Sequence, residues 1–317
     1  MDRQEIAKEF LQDKFGMFIH WGLYSVRSRG EWAIFRDAVP RSEYKKYLKM
    51  FNPKRFDARA WVKMALDAGM KYMCITTKHH DGFCLFDSQY TDFKITNTPF
   101  KRDIKKELAD ACHEMGMRFC LYYSIWDIWH PGLTGYSQEG KDPDIVYPIE
   151  EGWTPTKEGI KYMHKQVEEL CTKYGKIDYF FFDVKRAEGE DYDGWTLIEN
   201  MRKWQPEMLI NDRLGVGGDV GTPENTIPTD ASEDEKCTKT MMWECNACSN
   251  NNWAYVHDDK AFKSSDQIIQ ELVEVVSKGG NFLINVGPTG LGDFPPENVQ
   301  MLKDVGEWMD YHADSIY

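Results

Sequence analysis

Short apolar runs that alternate with amphipathic stretches constrain the fold of this chain more than any other feature. The runs are almost continuously apolar, as expected of strands buried on both faces of a parallel sheet. A strand with one face in solvent would instead alternate apolar and polar residues. Seven runs meet this description, namely Gly16–Gly22, Tyr72–Lys78, Arg118–Ser124, Asp178–Val184, Met208–Arg213, Met241–Cys245 and Asn281–Gly287.

Three stretches between these runs have apolar residues at helical spacing, namely Ile104–Met115, Met163–Tyr174 and Ile268–Val276. Glycine follows each stretch, as it commonly does at the end of a helix. Repeated strand–helix alternation predicts an α/β fold, a (β/α)8-like TIM barrel of irregular shape with one strand unassigned. Barrels of this length commonly form one unit, so we expect residues 1–317 to be a single catalytic β/α-barrel domain.

Two long segments interrupt the alternation. Residues 126–155 are rich in Pro, Gly and Asp, and residues 214–240 are acidic and polar. Each segment follows the carboxyl end of a predicted strand, where β/α barrels carry their active sites. Long connections at that end are usually functional, so we expect both segments to be active-site loops.

Composition restricts the partners of the chain. Its 39 Lys and Arg against 52 Asp and Glu give a net charge of −13, which repels polyanions, so we expect no nucleic-acid or membrane partner. The charged start at Met1–Glu5 does not resemble a signal peptide, and we expect a cytoplasmic location. Eight cysteines include one C-x-x-C, Cys245–Cys248, which no second pair supports as a zinc site.

Ionisable and hydrogen-bonding residues are concentrated where the apolar runs end. Because the carboxyl ends of barrel strands meet on one face, we expect these residues to converge in one site. Each residue alone could instead be structural and satisfied by hydrogen bonds. Adjacent histidines point to opposite faces of a strand, so both reach the site only if the strand ends before them. The residues are His20, His79, His80, Asp81, Tyr122, Asp183, Arg213 and Glu244.

Two carboxylates stand out among these residues. Asp183 ends a run of four aromatic residues, where a buried charge without a role or a partner is costly. Its structural alternative is an ion pair with Lys185 or Arg186. Glu244 follows Trp243, an environment that could raise the pKa of a general acid; its alternative is a structural hydrogen bond. Two carboxylates on one barrel face suffice for glycoside hydrolysis, which we predict for this pair.

Two other functions use the same residues. His20, His79, His80 and Asp81 suggest a metal-dependent hydrolase, although the H-x-H and H-E-x-x-H spacings of zinc sites are absent. The third function is a sugar-binding protein that has lost catalysis. Both candidate carboxylates are present, so the sequence favours the hydrolase over these alternatives.

The motifs at the strand ends resemble the α-L-fucosidases of glycoside hydrolase family 29, in order and along nearly the whole chain. The most specific are H-W-G at His20–Gly22 and T-K-H-H-D-G-F at Thr77–Phe83. The other matching motifs are Phe15–Ile19, Glu31–Trp32, Leu121–Ser124, Phe182–Asp183, Asn211–Arg213, Trp243–Glu244 and Gly279–Pro288.

This resemblance implies a retaining exo-enzyme that releases terminal α-linked L-fucose from oligosaccharides or glycoconjugates by double displacement, without a metal or other cofactor. It implies that Asp183 is the nucleophile and Glu244 the acid/base. Linkage preference is expected in the two long segments. Many relatives continue into a C-terminal β-sandwich, which we do not expect in this chain. The fucose-binding shell implied by matching motif positions comprises His20, Glu31, Trp32, His79, His80, Tyr122, Arg213 and Trp253.

The chain departs from the family pattern near both carboxylates. Phe181 stands where members often have Trp, Val184 where they commonly have Gly, and Ala254 replaces the Gly of a W-G-Y motif. The acid/base is the least constant element of the family, and Glu233 and Glu235 are alternative candidates for that role.

Overall fold

The computed structural model describes residues 2–317, so that Met1 of the predicted domain lies outside the described residues. Eight parallel strands form one sheet in the order β5-β4-β3-β2-β1-β8-β7-β6, which curves into a nearly closed barrel. The prediction of an irregular (β/α)8 barrel is confirmed. The strands are β1 (Phe15–Ile19), β2 (Tyr72–Lys78), β3 (Arg118–Ser124), β4 (Tyr179–Asp183), β5 (Leu209–Ile210), β6 (Val220–Gly221), β7 (Met242–Cys248) and β8 (Asn281–Val286).

The barrel has one seam, between the two-residue strands β5 and β6. Only the bridge between Asn211 and Val220 pairs the two sides. The buried Asp219 reinforces the seam, because its main-chain N–H donates to the Ile210 carbonyl and its carboxylate accepts from the Ile210 N–H at 3.0 Å. β6 is the strand that the sequence left unassigned, and it lies in residues 214–240, which were wrongly predicted to be a loop. Its residues Val220 and Gly221 lie between the polar Asp219 and Thr222 and therefore show no apolar run.

Helices surround the barrel and the three predicted from apolar spacing are confirmed as α6, α7 and α10. Asp103 caps the start of α6 by accepting from two main-chain N–H groups, and Gly116 ends that helix with a φ of +75°. The helices are α1 (Arg3–Leu11), α2 (Tyr24–Arg27), α3 (Ala33–Arg36), α4 (Arg41–Tyr44), α5 (Ala58–Asp67), α6 (Ile104–Met115), α7 (Lys157–Lys173), α8 (Gly194–Trp204), α9 (Glu235–Thr238), α10 (Ser265–Ser277) and α11 (Pro296–Ile316). Within residues 2–317 no helix is both long and apolar enough to cross a membrane.

The core has two layers. The larger one fills the space between the strands and the surrounding helices. The smaller one fills the barrel interior. Helix α1 closes the amino end of the barrel through Phe10, whose ring centre lies 4.9 Å from that of Tyr72 and 5.6 Å from that of Tyr179. All eight cysteines, including Cys245 and Cys248, are buried and unpaired. With its amino end closed, the barrel opens only toward the carboxyl ends of its strands.

Candidate active site

A cavity of about 320 Å³ opens at the carboxyl ends of the strands. Its walls combine aromatic rings with ionisable groups, the usual lining of a site for a small polar ligand. Seven of the eight residues expected to bind fucose line it, together with Asp183. The lining residues are Phe18, His20, Trp32, His79, His80, Tyr122, Phe181, Asp183, Val184, Arg186, Arg213, Glu224, Asn246 and Trp253.

Asp183 is the last residue of β4 and its carboxylate is held from two sides. Tyr122 donates its hydroxyl to Oδ2 at 2.7 Å, and Nη1 of Arg213 donates to Oδ1 at 2.7 Å. Burial alone would raise the pKa of Asp183, but the charge of Arg213 and these hydrogen bonds outweigh it and lower the pKa. Asp183 is therefore ionised near neutral pH, as a nucleophile must be.

Glu224 is a second carboxylate in the cavity, and sequence reasoning missed it. Nη1 of Arg213 lies 2.9 Å from Oε2 of Glu224 and 2.7 Å from Oδ1 of Asp183. These two oxygens are therefore at most about 5.6 Å apart, and this upper limit agrees with the carboxyl spacing of roughly 5–5.5 Å in retaining glycosidases. The remaining donors of Arg213 bind the side chain and carbonyl of Thr222.

The main chain around Glu224 is fixed by β7. The N–H of Asn246 donates to the Pro223 carbonyl at 3.1 Å, and the N–H of Asn225 donates to the Asn246 carbonyl at 2.8 Å. Asn225 in turn accepts from the N–H of Cys248. These bonds present Glu224 to the cavity, three residues beyond the end of β6.

Three neutral histidines form one wall. Burial lowers the pKa of His20 to about 4, and burial together with neighbouring positive charge lowers the pKa of His79 and His80 well below the ordinary value. Nδ1 of His80 lies 2.6 Å from Oγ of Ser124, which donates its own proton to the Trp126 carbonyl. His80 must therefore donate from Nδ1, which leaves Nε2 as an acceptor for a ligand hydroxyl.

Both histidines of the H-H-D-G motif reach the cavity because β2 ends at Lys78, directly before them. The sequence analysis named this strand end as the condition for both side chains to enter the site. The turn after β2 is held by a fully buried ion pair between Lys78 and Asp127 at 2.8 Å, and by an N–H of Ile128 that donates to the His80 carbonyl. Asp81 points away from the cavity and accepts from the hydroxyl of Tyr44 at 2.7 Å.

Aromatic rings form the remaining walls. The centre of the Trp253 ring lies 5.0 Å from that of His20, and the centre of the Trp32 ring lies 4.6 Å from that of His80. Glu31 is the one expected binding residue that does not line the cavity. It is buried and accepts from the N–H of Ala254 at 2.9 Å, so it holds the segment that carries Trp253.

Glu244 does not lie where the sequence placed it. β7 continues to Cys248 rather than ending at Cys245, and Glu244 pairs with Asn281, the first residue of β8. It is therefore buried toward the amino end of the barrel, where it accepts from the Tyr72 hydroxyl at 2.6 Å. Burial raises the pKa of Glu244 to about 8. The prediction that Glu244 shares a face with Asp183 is wrong, because an apolar run does not reveal the register of its strand.

The other acid/base candidates of the sequence analysis, Glu233 and Glu235, are exposed and do not line the cavity. Glu235 pairs with Lys239 on the short helix α9. The only sequence signal for Glu224 was its place in the acidic segment 214–240. That signal could not distinguish it from its neighbours, because the strand before it has only two residues.

His79, His80 and Asp183 are also close enough to hold a metal ion. One ligand atom from each lies within 4.8 Å of the others. The two neutral imidazoles and the ionised carboxylate have the donor chemistry that Zn²⁺ accepts. Of the four residues that suggested a metal site in the sequence, only His79 and His80 belong to this group.

Comparisons with known proteins identify the family of the chain. The family profile described as alpha-L-fucosidase matches residues 1–314. Plasma alpha-L-fucosidase of Rattus norvegicus is 28% identical over all of this chain and 72% of its own length. Alpha-L-fucosidase isoenzyme 1 of Paenibacillus thiaminolyticus is 40% identical, with a TM-score of 0.89, over 99% of this chain and 77% of that one.

A second solved structure is the alpha-L-fucosidase of Lactobacillus casei in complex with its α-L-fucose product. It is 30% identical, with a TM-score of 0.84, over 98% of this chain and 99% of that one. Together with the profile match over nearly the whole chain, these similarities show that the chain belongs to the α-L-fucosidases of glycoside hydrolase family 29.

Proposed function

We propose that the protein is a retaining, exo-acting α-L-fucosidase that hydrolyses terminal α-linked L-fucose from oligosaccharides or glycoconjugates. The single observation that carries this proposal is the arrangement of Asp183 and Glu224 around Nη1 of Arg213. An inverting enzyme needs room for a water molecule between its carboxyl groups, which are about 6.5–9.5 Å apart. The oxygens of Asp183 and Glu224 that contact Arg213 are at most about 5.6 Å apart, which favours the retaining arrangement.

In the first step, Asp183 attacks the anomeric carbon of fucose while Glu224 donates a proton to the glycosidic oxygen. The bond from carbon to that oxygen breaks as the bond to Oδ of Asp183 forms. In the second step, Glu224 takes a proton from water, whose oxygen attacks the anomeric carbon and releases the carboxylate of Asp183. Two inversions return fucose with its original α-configuration.

The other cavity residues suit a deoxyhexose. The neutral histidines His20, His79 and His80 offer nitrogen donors and acceptors to sugar hydroxyls, and the rings of Phe181 and Trp253 offer apolar surface to the C5 methyl group. The hydrogen bond from Tyr122 to Asp183 weakens as the carboxylate becomes an ester, so it stabilises Asp183 before attack and after release.

The test is hydrolysis of an aryl α-L-fucoside by the wild type and Asp183→Ala, with the first released anomer followed by NMR. We expect α-L-fucose from the wild type and almost no turnover from the variant, because no covalent intermediate can form. Initial release of the β-anomer would contradict a retaining mechanism. Binding of fucose without release from any fucoside would instead support a sugar-binding protein.

The group of His79, His80 and Asp183 keeps a metal-dependent hydrolase as a second candidate function. In that case a metal ion would activate water and Asp183 would be a ligand rather than a nucleophile. Extended dialysis against a chelator distinguishes the two functions. We expect unchanged kcat and KM, whereas loss of activity that Zn²⁺ or Mn²⁺ restores would favour the metal enzyme.

A further inference from the structure

Two arginines line the cavity, and their surroundings differ. Arg213 contacts two carboxylates, Asp183 and Glu224, and its other donors bind Thr222. Arg186 forms no ion pair with any carboxylate among residues 2–317. The proposed reaction already uses Arg213 and leaves Arg186 without a role.

The guanidinium group of Arg186 is fixed in place but has no acceptor. Its central carbon lies 4.4 Å from the centre of the Trp126 ring, and its main-chain N–H donates to the hydroxyl of Tyr192 at 3.0 Å. None of its side-chain N–H groups donates to a protein acceptor in the described part of the chain, and Nε is buried without a partner. An arginine packed in this way is oriented in advance for a ligand that accepts hydrogen bonds.

The position of Arg186 favours the leaving group rather than fucose as this ligand. Arg186 lines the cavity three residues beyond Asp183, on the connection between β4 and α8. It packs on Trp126, the first residue of the long segment 126–155, and no residue of that segment lines the cavity itself. The expected fucose-binding shell does not include Arg186, so its free donors are available to the next sugar.

Charge indicates what kind of leaving group fits. Arg213 pairs with both carboxylates of the cavity, Asp183 and Glu224. The three histidines of the cavity wall are neutral, because burial lowers their pKa. Arg186 is therefore the cation of the cavity lining that no carboxylate contacts, and an anionic group on the ligand would supply the missing partner.

We propose that Arg186 forms a subsite for the sugar next to fucose and that it selects glycans in which this sugar carries an acidic substituent, a carboxylate or a sulfate. The planar guanidinium binds either anion through two parallel N–H donors. This inference rests on the proposed fucosidase function, because it concerns the leaving group of that reaction.

The experiment compares three fucosyl disaccharides of one linkage, whose second sugar is galactose, galacturonic acid or galactose 6-sulfate, with a neutral aryl fucoside as reference. The enzymes are the wild type, Arg186→Gln, Arg186→Lys and the matched control Lys185→Gln. Lys185→Gln changes the net charge equally, but Nζ of Lys185 pairs with Glu188 and does not line the cavity.

We expect the wild type to have a kcat/KM roughly tenfold higher for an acidic disaccharide than for the neutral one, as one charge-assisted contact would give. Arg186→Gln should abolish this ratio, Arg186→Lys should keep part of it and Lys185→Gln should keep all of it. The preferred acidic sugar identifies the anion. High salt should reduce the ratio in the wild type only slightly, because the site is partly buried.

A wild-type ratio near one, or a ratio that Arg186→Gln leaves unchanged, would overturn the inference while fucose release from the aryl fucoside continues. Absence of fucose release from every substrate, the aryl fucoside included, would instead overturn the proposed function. Thermal unfolding of each variant confirms that a lost preference reflects the subsite and not a misfolded protein.

Discussion

Val184, the residue after the proposed nucleophile, has a left-handed backbone conformation with a φ of +47°. This conformation costs a β-branched residue roughly 1–2 kcal/mol. Main-chain bonds impose it, because the N–H of Ile125 donates to the Asp183 carbonyl at 2.9 Å and the N–H of Trp126 to the Val184 carbonyl at 3.1 Å. The strain lies between the reacting carboxylate and the segment that bears Arg186.

We expect Val184→Gly to raise the free energy of unfolding by roughly 1 kcal/mol, because relief of the strained φ exceeds the entropic cost of glycine. Urea denaturation measures the change. The matched control is Val273→Gly in α10, an exposed helical position that should instead lose roughly 0.5 kcal/mol. Equal destabilisation of both variants would show that position 184 stores no strain.

The two glutamates at opposite ends of the barrel give a direct test of the acid/base assignment. We expect Glu224→Gln to lower kcat roughly 10²–10⁴-fold on fucosides with poor leaving groups and far less on activated aryl fucosides, because only the former need a proton. On activated aryl fucosides, whose first step needs no acid, added azide should restore part of the turnover because it attacks the covalent intermediate without a general base.

Glu244→Gln is the matched control, since Glu244 does not line the cavity and the amide still accepts from Tyr72. It should keep wild-type activity near neutral pH. Glu233→Gln and Glu235→Gln complete the series. A large loss on poor leaving groups in either of them, with none in Glu224→Gln, would move the acid/base role to the exposed part of segment 214–240.

Among the elements, the turn after β2 depends on the buried ion pair of Lys78 and Asp127, whose side chains are both fully excluded from solvent. Nζ of Lys78 also lies 4.3 Å from the centre of the Tyr123 ring. Asp127 accepts from the N–H groups of Trp129 and His130, so the pair joins the H-H-D-G turn to the start of segment 126–155.

We expect Asp127→Asn to lower the free energy of unfolding by about 3–5 kcal/mol, because it leaves the Lys78 charge buried and unpaired. The exposed pair of Lys63 and Asp67, with an N···O distance of 2.7 Å, provides the control. Asp67→Asn should change stability by no more than about 0.5 kcal/mol. Similar losses in both variants would indicate that solvent reaches the buried pair.

The elements also show what the sequence could and could not predict. Seven strands were predictable because burial on both faces produces apolar runs, and even the two-residue β5 showed one because Met208 precedes it. Both histidines could be expected in the site only if β2 ended before them, and it ends at Lys78. β6 consists of Val220 and Gly221 between the polar residues Asp219 and Thr222, so it forms no apolar run. The segment around it was therefore taken for a loop, and Glu224 was missed. Glu244 was misplaced because register depends on pairing with β8, which residues within β7 do not specify.

For the molecule as a whole, Glu244 makes the free energy of unfolding fall as the pH rises from about 4.5 to about 8. Its pKa rises from the ordinary 4.5 to about 8 on burial, so the folded protein binds this proton more tightly than the unfolded chain does. The contribution of this proton to the free energy of unfolding is fully present below about pH 4.5 and is lost as the pH rises through 8. This loss is on the order of a few kcal/mol.

Glu244→Gln removes this titration. We therefore expect the Tm of the wild type to fall relative to that of the variant between pH 5 and pH 9, with both measured by calorimetry in the same buffers. Two Tm curves that remain parallel over this range would show that the Glu244 proton is not bound more tightly in the folded protein.

The seam between β5 and β6 has a consequence for how such enzymes diverge. A wall joined there by one bridge and the side chain of Asp219 can accept insertions and deletions without shifting the register of the other strands. Arg213 lies just after one side of the seam and Glu224 just after the other. Changes in chain length at the seam can therefore alter the surroundings of Arg213 and Glu224 during descent, while the wall formed by His20, His79 and His80 on the opposite strands is inherited intact.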